Sequence, residues 1–254
     1  MEDKIDCKKS YYRSGTLKKE VWLKGNRLHR NDDPAVIEYY SDGTKAREEW
    51  YRDGKLHRED GPAVIFYHTS GAEFPIYREQ WYRNGKLHRD GAPAWIEYFR
   101  HGTKILEIWY MNGKKHRKDG PAEIRYYTDG SVEKEKWFFH GSFCRDDKPA
   151  VVGYYPNGTK KEEIWYGKNG IHKDNGPAWI HYYPNGKIAI EKWYQNGKLH
   201  RDNGPAWIKY APNGEIEDRS YYVDGMLIPG EDYQKYRSIQ KILDKARHIQ
   251  KIRL

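Results

Sequence analysis

The dipeptide Pro-Ala recurs at Pro34, Pro62, Pro93, Pro121, Pro149, Pro177 and Pro205, at steps of 28 residues with one step of 31. Tryptophan keeps the same rhythm at Trp22, Trp50, Trp81, Trp109, Trp137, Trp165 and Trp193, with Tyr221 in the eighth place. Tyrosine keeps it at Tyr11, Tyr39, Tyr67, Tyr98, Tyr126, Tyr154, Tyr182 and Tyr210. A period this regular confines the chain to a repeat architecture, in which each unit buries its apolar side only against its neighbours. The three extra residues fall between Gly71 and Glu79, around Glu73-Phe-Pro75, and read as a longer hairpin tip.

Two turn signals punctuate each unit. One is an Asn/Asp-Gly step four residues past the Trp (Asp53-Gly54, Asn84-Gly85, Asn112-Gly113, Asn196-Gly197), which suits a two-residue hairpin turn with positive φ. The other is the Gly four past the Tyr, from Gly15 and Gly43 through to Gly214. The spacing predicts two strands per unit, with Asp60-Gly61-Pro62 and its equivalents kinking the longer one. The expected fold is all-β: an elongated, single-sheet antiparallel meander of about seven to eight 28-residue β-hairpin repeats over 11–228, after a lead of 1–10.

Period-two alternation separates two faces. One, three and five residues past the Pro stand Ala, then Ile or Val, then Tyr in all seven copies, whereas two, four and six past it vary. The first set is the packed face. On the other strand, Glu20, Glu48, Glu79, Glu107, Glu135, Glu163 and Glu191 recur two residues before the Trp or its equivalent. Leu, Ile, Val and Phe make only 43 of 254 residues and the formal charge is +9, a profile shared with disordered chains. Ten Trp, 23 Tyr and six Phe supply the missing apolar area on side chains that lose little rotamer freedom. A thin sheet with ring ladders in place of an aliphatic core accounts for both facts.

The string Trp193-Tyr-Gln-Asn-Gly-Lys-Leu-His200, followed by Gly204 and by Tyr210 to Gly214, resembles the membrane occupation and recognition nexus (MORN) repeat. It is most similar to the longer divergent form associated with giant DNA viruses of amoebae and with bacterial antitoxin-type repeats. The family's second glycine is replaced here by Arg58, Arg89, Arg117 and Arg201. The resemblance implies a hairpin array whose members scaffold, dimerise or touch phospholipid.

From Gly230 the pattern changes. The segment lacks Gly and Pro after that point, opens acidic and closes basic, and so reads as a basic amphipathic C-terminal α-helix over 229–254. Tyr236, Ile239, Ile242, Leu243, Ala246 and Ile249 form its apolar stripe. Seven basic minus three acidic residues place +4 of the +9 there. Three roles stay open for it: a cap on the last sheet edge, self-association through the stripe, or docking on an anionic surface.

Candidate chemistry is sparse. His29, His57, His88, His116, His172 and His200, with Cys144 in the same slot, suggest metal ligands, but equivalent positions two strands apart lie roughly 9.5 Å from one another. Ligands of one zinc lie within about 4 Å of each other. These histidines therefore read as structural hydrogen-bond partners near the hairpin turns, and the same distance argues against the glutamates as a paired acid/base site. No nucleophile elbow or phosphate loop is present, so no catalytic, cofactor or metal site is expected, and no small-molecule substrate.

The candidate interaction surface is Trp95, Trp179, Trp207, Tyr127, Tyr155 and Tyr183 on the variable face, with Tyr236, Ile239, Leu243, Lys245 and Arg247 on the helix. Rings beside Arg and Lys suit a protein interface and could stack single-stranded bases, while cross-strand pairing alone would also explain them. The expected function is a non-enzymatic scaffold with a protein partner or a second copy. The alternative is a peripheral binder of anionic lipid or single-stranded nucleic acid. The charged start, MEDKIDCKKS, and two cysteines point to an intracellular, cytoplasmic location, or a virion if the chain is viral.

Overall fold

The computed structural model describes residues 5–239 and 241, which fall into two compact units, 1–143 and 144–254. In the first unit Ile5–Tyr11, Leu17–Lys24, Val36–Tyr39, Lys45–Glu49, Val64–Tyr67, Ile76–Gln80, Trp95–Tyr98, Lys104–Ile108, Glu123–Tyr126 and Val132–Lys136 follow in order, each antiparallel to the strand before it. The second unit repeats the scheme with Val151–Tyr154, Lys160–Ile164, Trp179–Tyr182, Ile188–Lys192, Trp207–Tyr210 and Ile216–Val223. Each unit is thus an all-β antiparallel meander of hairpins. Its first strand begins at Ile5, so the lead contributes to the sheet.

The sequence predicts two strands per repeat, and an interior repeat holds four. Lys45–Glu49 stops at Trp50, and Tyr51–Arg52 then pairs with Lys55–Leu56 in a separate small sheet before the ladder resumes at Val64. The break has a local cause. Pro62 offers no N–H to a neighbour, and the Trp50 N–H is taken by the Ala63 carbonyl at 2.8 Å. Ala35, Ala63, Ala94 and Ala122 are wholly buried at this crossing, which explains why nothing larger stands there in any copy. At the hairpin tip Asp53 and Gly54 have φ of 50° and 80°, the pair of positive values that a two-residue turn of matching twist requires.

The ladder register places Ile37 between Glu20 and Glu48, and Ile208 between Glu191 and Arg219. A bulge follows Glu38 in the first of these repeats and recurs at the same place in the others, turning the Tyr toward the preceding Glu. The insertion does form a longer tip: His68 N–H reaches the Pro75 carbonyl at 2.7 Å, and Phe74 N–H reaches Arg100 in the next turn at 2.9 Å. In the second unit Ile216–Val223 runs on into a hairpin with Met226–Ile228, and a helix begins at residue 230 and is described to 239.

Candidate interaction surfaces

Two ladders of polar side chains tie each repeat to the next, and a third braces each repeat from within. In the first, the imidazole Nδ1 accepts a backbone N–H from the following hairpin tip: Asp53 to His29 at 3.1 Å, Asn84 to His57 at 3.2 Å, Asn112 to His88 at 3.1 Å, and in the second unit Asp224 to His200 at 3.1 Å. An accepting Nδ1 places the ring proton on Nε2. From there it bonds Asp90 beside His88 and Asp202 beside His200, both at 3.0 Å. His116 accepts from His140 N–H and stacks on the His140 ring at 4.3 Å; burial and the neighbouring imidazole push its pKa down.

The second ladder joins Glu to the Tyr nineteen residues on. Glu107 accepts from Tyr126 at 2.5 Å and from Lys104 at 2.6 Å, and Glu163 accepts from Tyr182 at 2.5 Å and Lys160 at 2.6 Å. Buried Glu48 is held in the same way by Tyr67 and Lys45. At Glu20, burial pushes the carboxyl pKa up, but hydrogen bonds from Lys9 and Tyr39 outweigh it and hold the group below the usual carboxylate range. Tyr39 is pushed up to about 12 by burial and by the Glu20 carboxylate.

The third ladder was missed from sequence. The basic residue that follows each ladder histidine sits over the Trp of its own repeat, with Arg58 4.0 Å from the Trp50 ring, Arg89 3.9 Å from Trp81, and Arg201 3.7 Å from Trp193. The arginine Nη1 donates to the carbonyl of the Pro four residues on, 3.2 Å for Arg58 to Pro62. On the far side it presses on the glycine of Asp-Gly-Pro: a Cβ added to Gly61 would stand 2.9 Å from the Arg58 guanidinium carbon. The glycine leaves room for the cation there, but the same clamp forms where Ala92 precedes Pro93 and where Asp33 precedes Pro34. Cation–π contacts of this kind contribute about 0.5–2 kcal/mol each, so a series of them counts for a thin sheet. The recurrence of Arg, with Lys173 in one copy over Trp165 at 3.8 Å, was the available signal.

The predicted surface rings are half-buried and engaged. Trp95 packs under Arg78 at 4.9 Å and donates Nε1–H to Glu97 at 3.0 Å. Trp179 and Trp207 are brought together across Lys192, their shared cross-strand neighbour; the ammonium sits 4.0 Å from the Trp179 ring, and burial lowers its pKa. Tyr155 and Tyr183 donate to the carbonyls of Tyr182 and Tyr210, both at 2.7 Å, and so clasp successive turns; Tyr127 occupies the equivalent place in the first unit.

On the helix, Tyr236 is half-buried with its ring 6.1 Å from Tyr233, and Ile239 is 49% exposed. Leu243, Lys245 and Arg247 lie outside the described residues. What the sequence did not single out is Tyr233, 1% exposed: it stacks on Tyr221 at 4.3 Å, accepts the Gly204 N–H at 2.7 Å and donates to Asp202 O at 2.8 Å. Among the described residues no cluster of three or more His, Cys, Asp or Glu could hold a metal ion.

Residues 178–196 match the family described as MORN repeat variant. No curated protein matches the chain. Among solved structures it is similar, at 13% identity and a TM-score of 0.15, to a chain titled Crystal Structure of TcdB2-TccC3, over 89% of this chain and 13% of that one. The matched stretch runs from the buried Ala178 through the Glu191 ladder position and Trp193 to the hairpin tip at Asn196, the same elements that recur in every interior repeat. The chain carries a MORN-like repeat within a β-hairpin array, a kind of module that generally serves in interaction and scaffolding.

Proposed function

We propose that this chain is a non-enzymatic scaffold that holds a protein partner or a second copy. The observation that carries the reading is the contrast between the ladders and the last hairpin. His, Glu and Tyr are engaged in holding repeats together and Arg in bracing each one, whereas Met226 and Leu227 on that hairpin are 67% and 62% exposed, with Ile239 open on the helix that follows. Large apolar side chains left this open are characteristic of contact surfaces. The resemblance of the long repeat to those of giant DNA viruses supports a place in a viral or host-cell assembly, and the two free cysteines, Cys7 and Cys144, support an intracellular one.

The test is light scattering of the purified chain together with capture from its native cells, using wild type and a Met226→Asp, Leu227→Asp double variant. Expected is a stoichiometric partner or defined oligomer with wild type that the double variant loses. A monomer that retains nothing would overturn the proposal, as would a partner held equally by the double variant. Flotation with anionic vesicles separates the lipid-binding alternative, which predicts recovery of both proteins with the lipid.

A further inference from the structure

The tips of the short hairpins carry a column of cations in the first unit. Arg27, Lys55, Lys86 and Lys114 each follow the turn in their own repeat, all are exposed, and among the described residues none makes an ion pair. Their alignment is enforced by packing: a Cβ added at Gly54, Gly85, Gly113 or Gly141 would meet the side-chain stem of Arg27, Lys55, Lys86 or Lys114 at 3.7–3.8 Å. Each stem therefore lies along the next glycine. A bond from each of these glycine N–H groups to the preceding hairpin keeps the series in step, as from Gly85 to Leu56 O at 2.8 Å. The other tip cations of these repeats are neutralised, Arg52 by Glu59 at 3.1 Å and Arg83 by Asp90 at 2.7 Å. The corresponding positions after residue 114 are Ser142, Gly170, Lys198 and Met226, so the run of cations ends within the first unit.

We propose that this column docks an acidic, extended segment of a partner protein, with an acidic side chain at every third residue. The proposal rests on the protein-contact reading above and names the partner's chemistry. Successive repeats advance by two strands, about 9.5 Å. A polyproline-II segment brings every third side chain to one face at about 9.3 Å. One carboxylate therefore meets one cation per repeat without strain. A single-stranded nucleic acid would need rings on which to stack its bases, and the residues between the cations are Asn26, Asp53-Gly54, Asn84-Gly85 and Asn112-Gly113. A bilayer would need apolar groups to insert, and Met111, 40% exposed, is the one large apolar side chain open at these four tips.

The experiment is fluorescence anisotropy of a labelled proline-rich peptide carrying four Glu at every third position, titrated with the full chain at low and physiological salt. Binding should weaken as salt rises, because the charges are exposed. Lys55→Glu and Lys86→Glu should each weaken it roughly fivefold, and the pair should abolish it, while Lys198→Glu leaves it unchanged. Asp53→Asn removes the one acidic group among the tips and should tighten it. Equal affinity of the Lys86→Glu chain, or tighter binding of a single-stranded oligonucleotide or of anionic vesicles than of the peptide, would overturn the proposal. Variants of Met226 and Leu227 should leave peptide binding intact, which separates failure here from failure of the scaffold reading.

Discussion

At the first repeat, Ile5–Tyr11 is exposed along its whole length, and Lys9 stands opposite Glu20 where interior repeats place Ile or Val. At the last, Arg219 stands opposite Ile208 where the other repeats place Glu, and Tyr233 from the helix fills the position over Tyr221 that the arginine fills over each Trp. Both ends put a cation on an exposed stretch of ladder strand, and among the described residues only the last adds a cover, over Tyr221. A sheet edge can be protected against further pairing either by charge or by burial. Burial also stabilises the end it closes, whereas a charge at the rim contributes little to stability.

The largest effect follows from removing the cover. Tyr233→Ala should cost about 3–5 kcal/mol, as expected for a buried aromatic, whereas Tyr11→Ala, at a side chain 58% exposed, should change stability by less than about 0.5 kcal/mol. Urea unfolding of the two variants reads the difference, and equal losses would show that the two ends are closed alike. Tyr233→Phe keeps the stack but strands the Gly204 N–H, at about 1–3 kcal/mol.

Next in size is the interior counterpart of that stack. Arg58→Ala should lose about 1–2 kcal/mol from the contact with Trp50, and Arg58→Lys clearly less, since Lys173 does the same work over Trp165. A loss as large for Lys as for Ala would mean that the bond to the Pro62 carbonyl, not the cation over the ring, is the main term.

Arg219→Glu tests whether charge is what keeps the edges apart. In a second copy, the new carboxylate would meet Lys9 and the Tyr11 hydroxyl as Glu48 meets its own partners, giving an open head-to-tail chain. Light scattering should show mass rising with concentration, and adding Lys9→Glu should reverse it; an unchanged mass at high concentration would sink the idea.

The smallest effect is the pH response of the first end. The folded pKa of Glu20 is depressed, so its contribution is present above the unfolded value near 4.5 and is lost as pH falls through the folded one. Lys9→Met should shrink this acid-side loss. Tyr39 behaves oppositely: its folded pKa is raised to about 12, so its contribution is complete below about 10 and is lost as pH rises toward 12. Stability curves against pH for wild type and Lys9→Met check both.

Much of this architecture was legible in the sequence, because turns are local. Asn84-Gly85 announces its positive φ from two residues, and the Ala, Ile, Tyr alternation after Pro62 announces the packed face. The Arg58 clamp was left unread although Arg recurs after the histidine, because recurrence names a residue type and nothing local says that the guanidinium will lie over the Trp50 ring. The half-burial of Trp95 and Trp179 was hidden for another reason. Alternation assigns a side chain to a face, but it does not say that Arg78 and Lys192 on neighbouring strands will lie across those rings. Tyr233 stands three residues before Tyr236, in phase with the apolar stripe, so its signal was present and the stripe was begun one turn too late.

The longer tip between Gly71 and Glu79 has a consequence for folding. Units this alike can pair with the wrong neighbour and trap the chain one repeat out of step. Phe74 reaches into the Arg100–Gly102 turn, where a Cβ on Gly102 would meet it at 3.3 Å, and its ring lies 5.0 Å from Tyr98. The receiving Gly and Tyr recur in every copy, whereas the tip that reaches them occurs once. The irregular copy thus marks one place in an array whose other tips are alike.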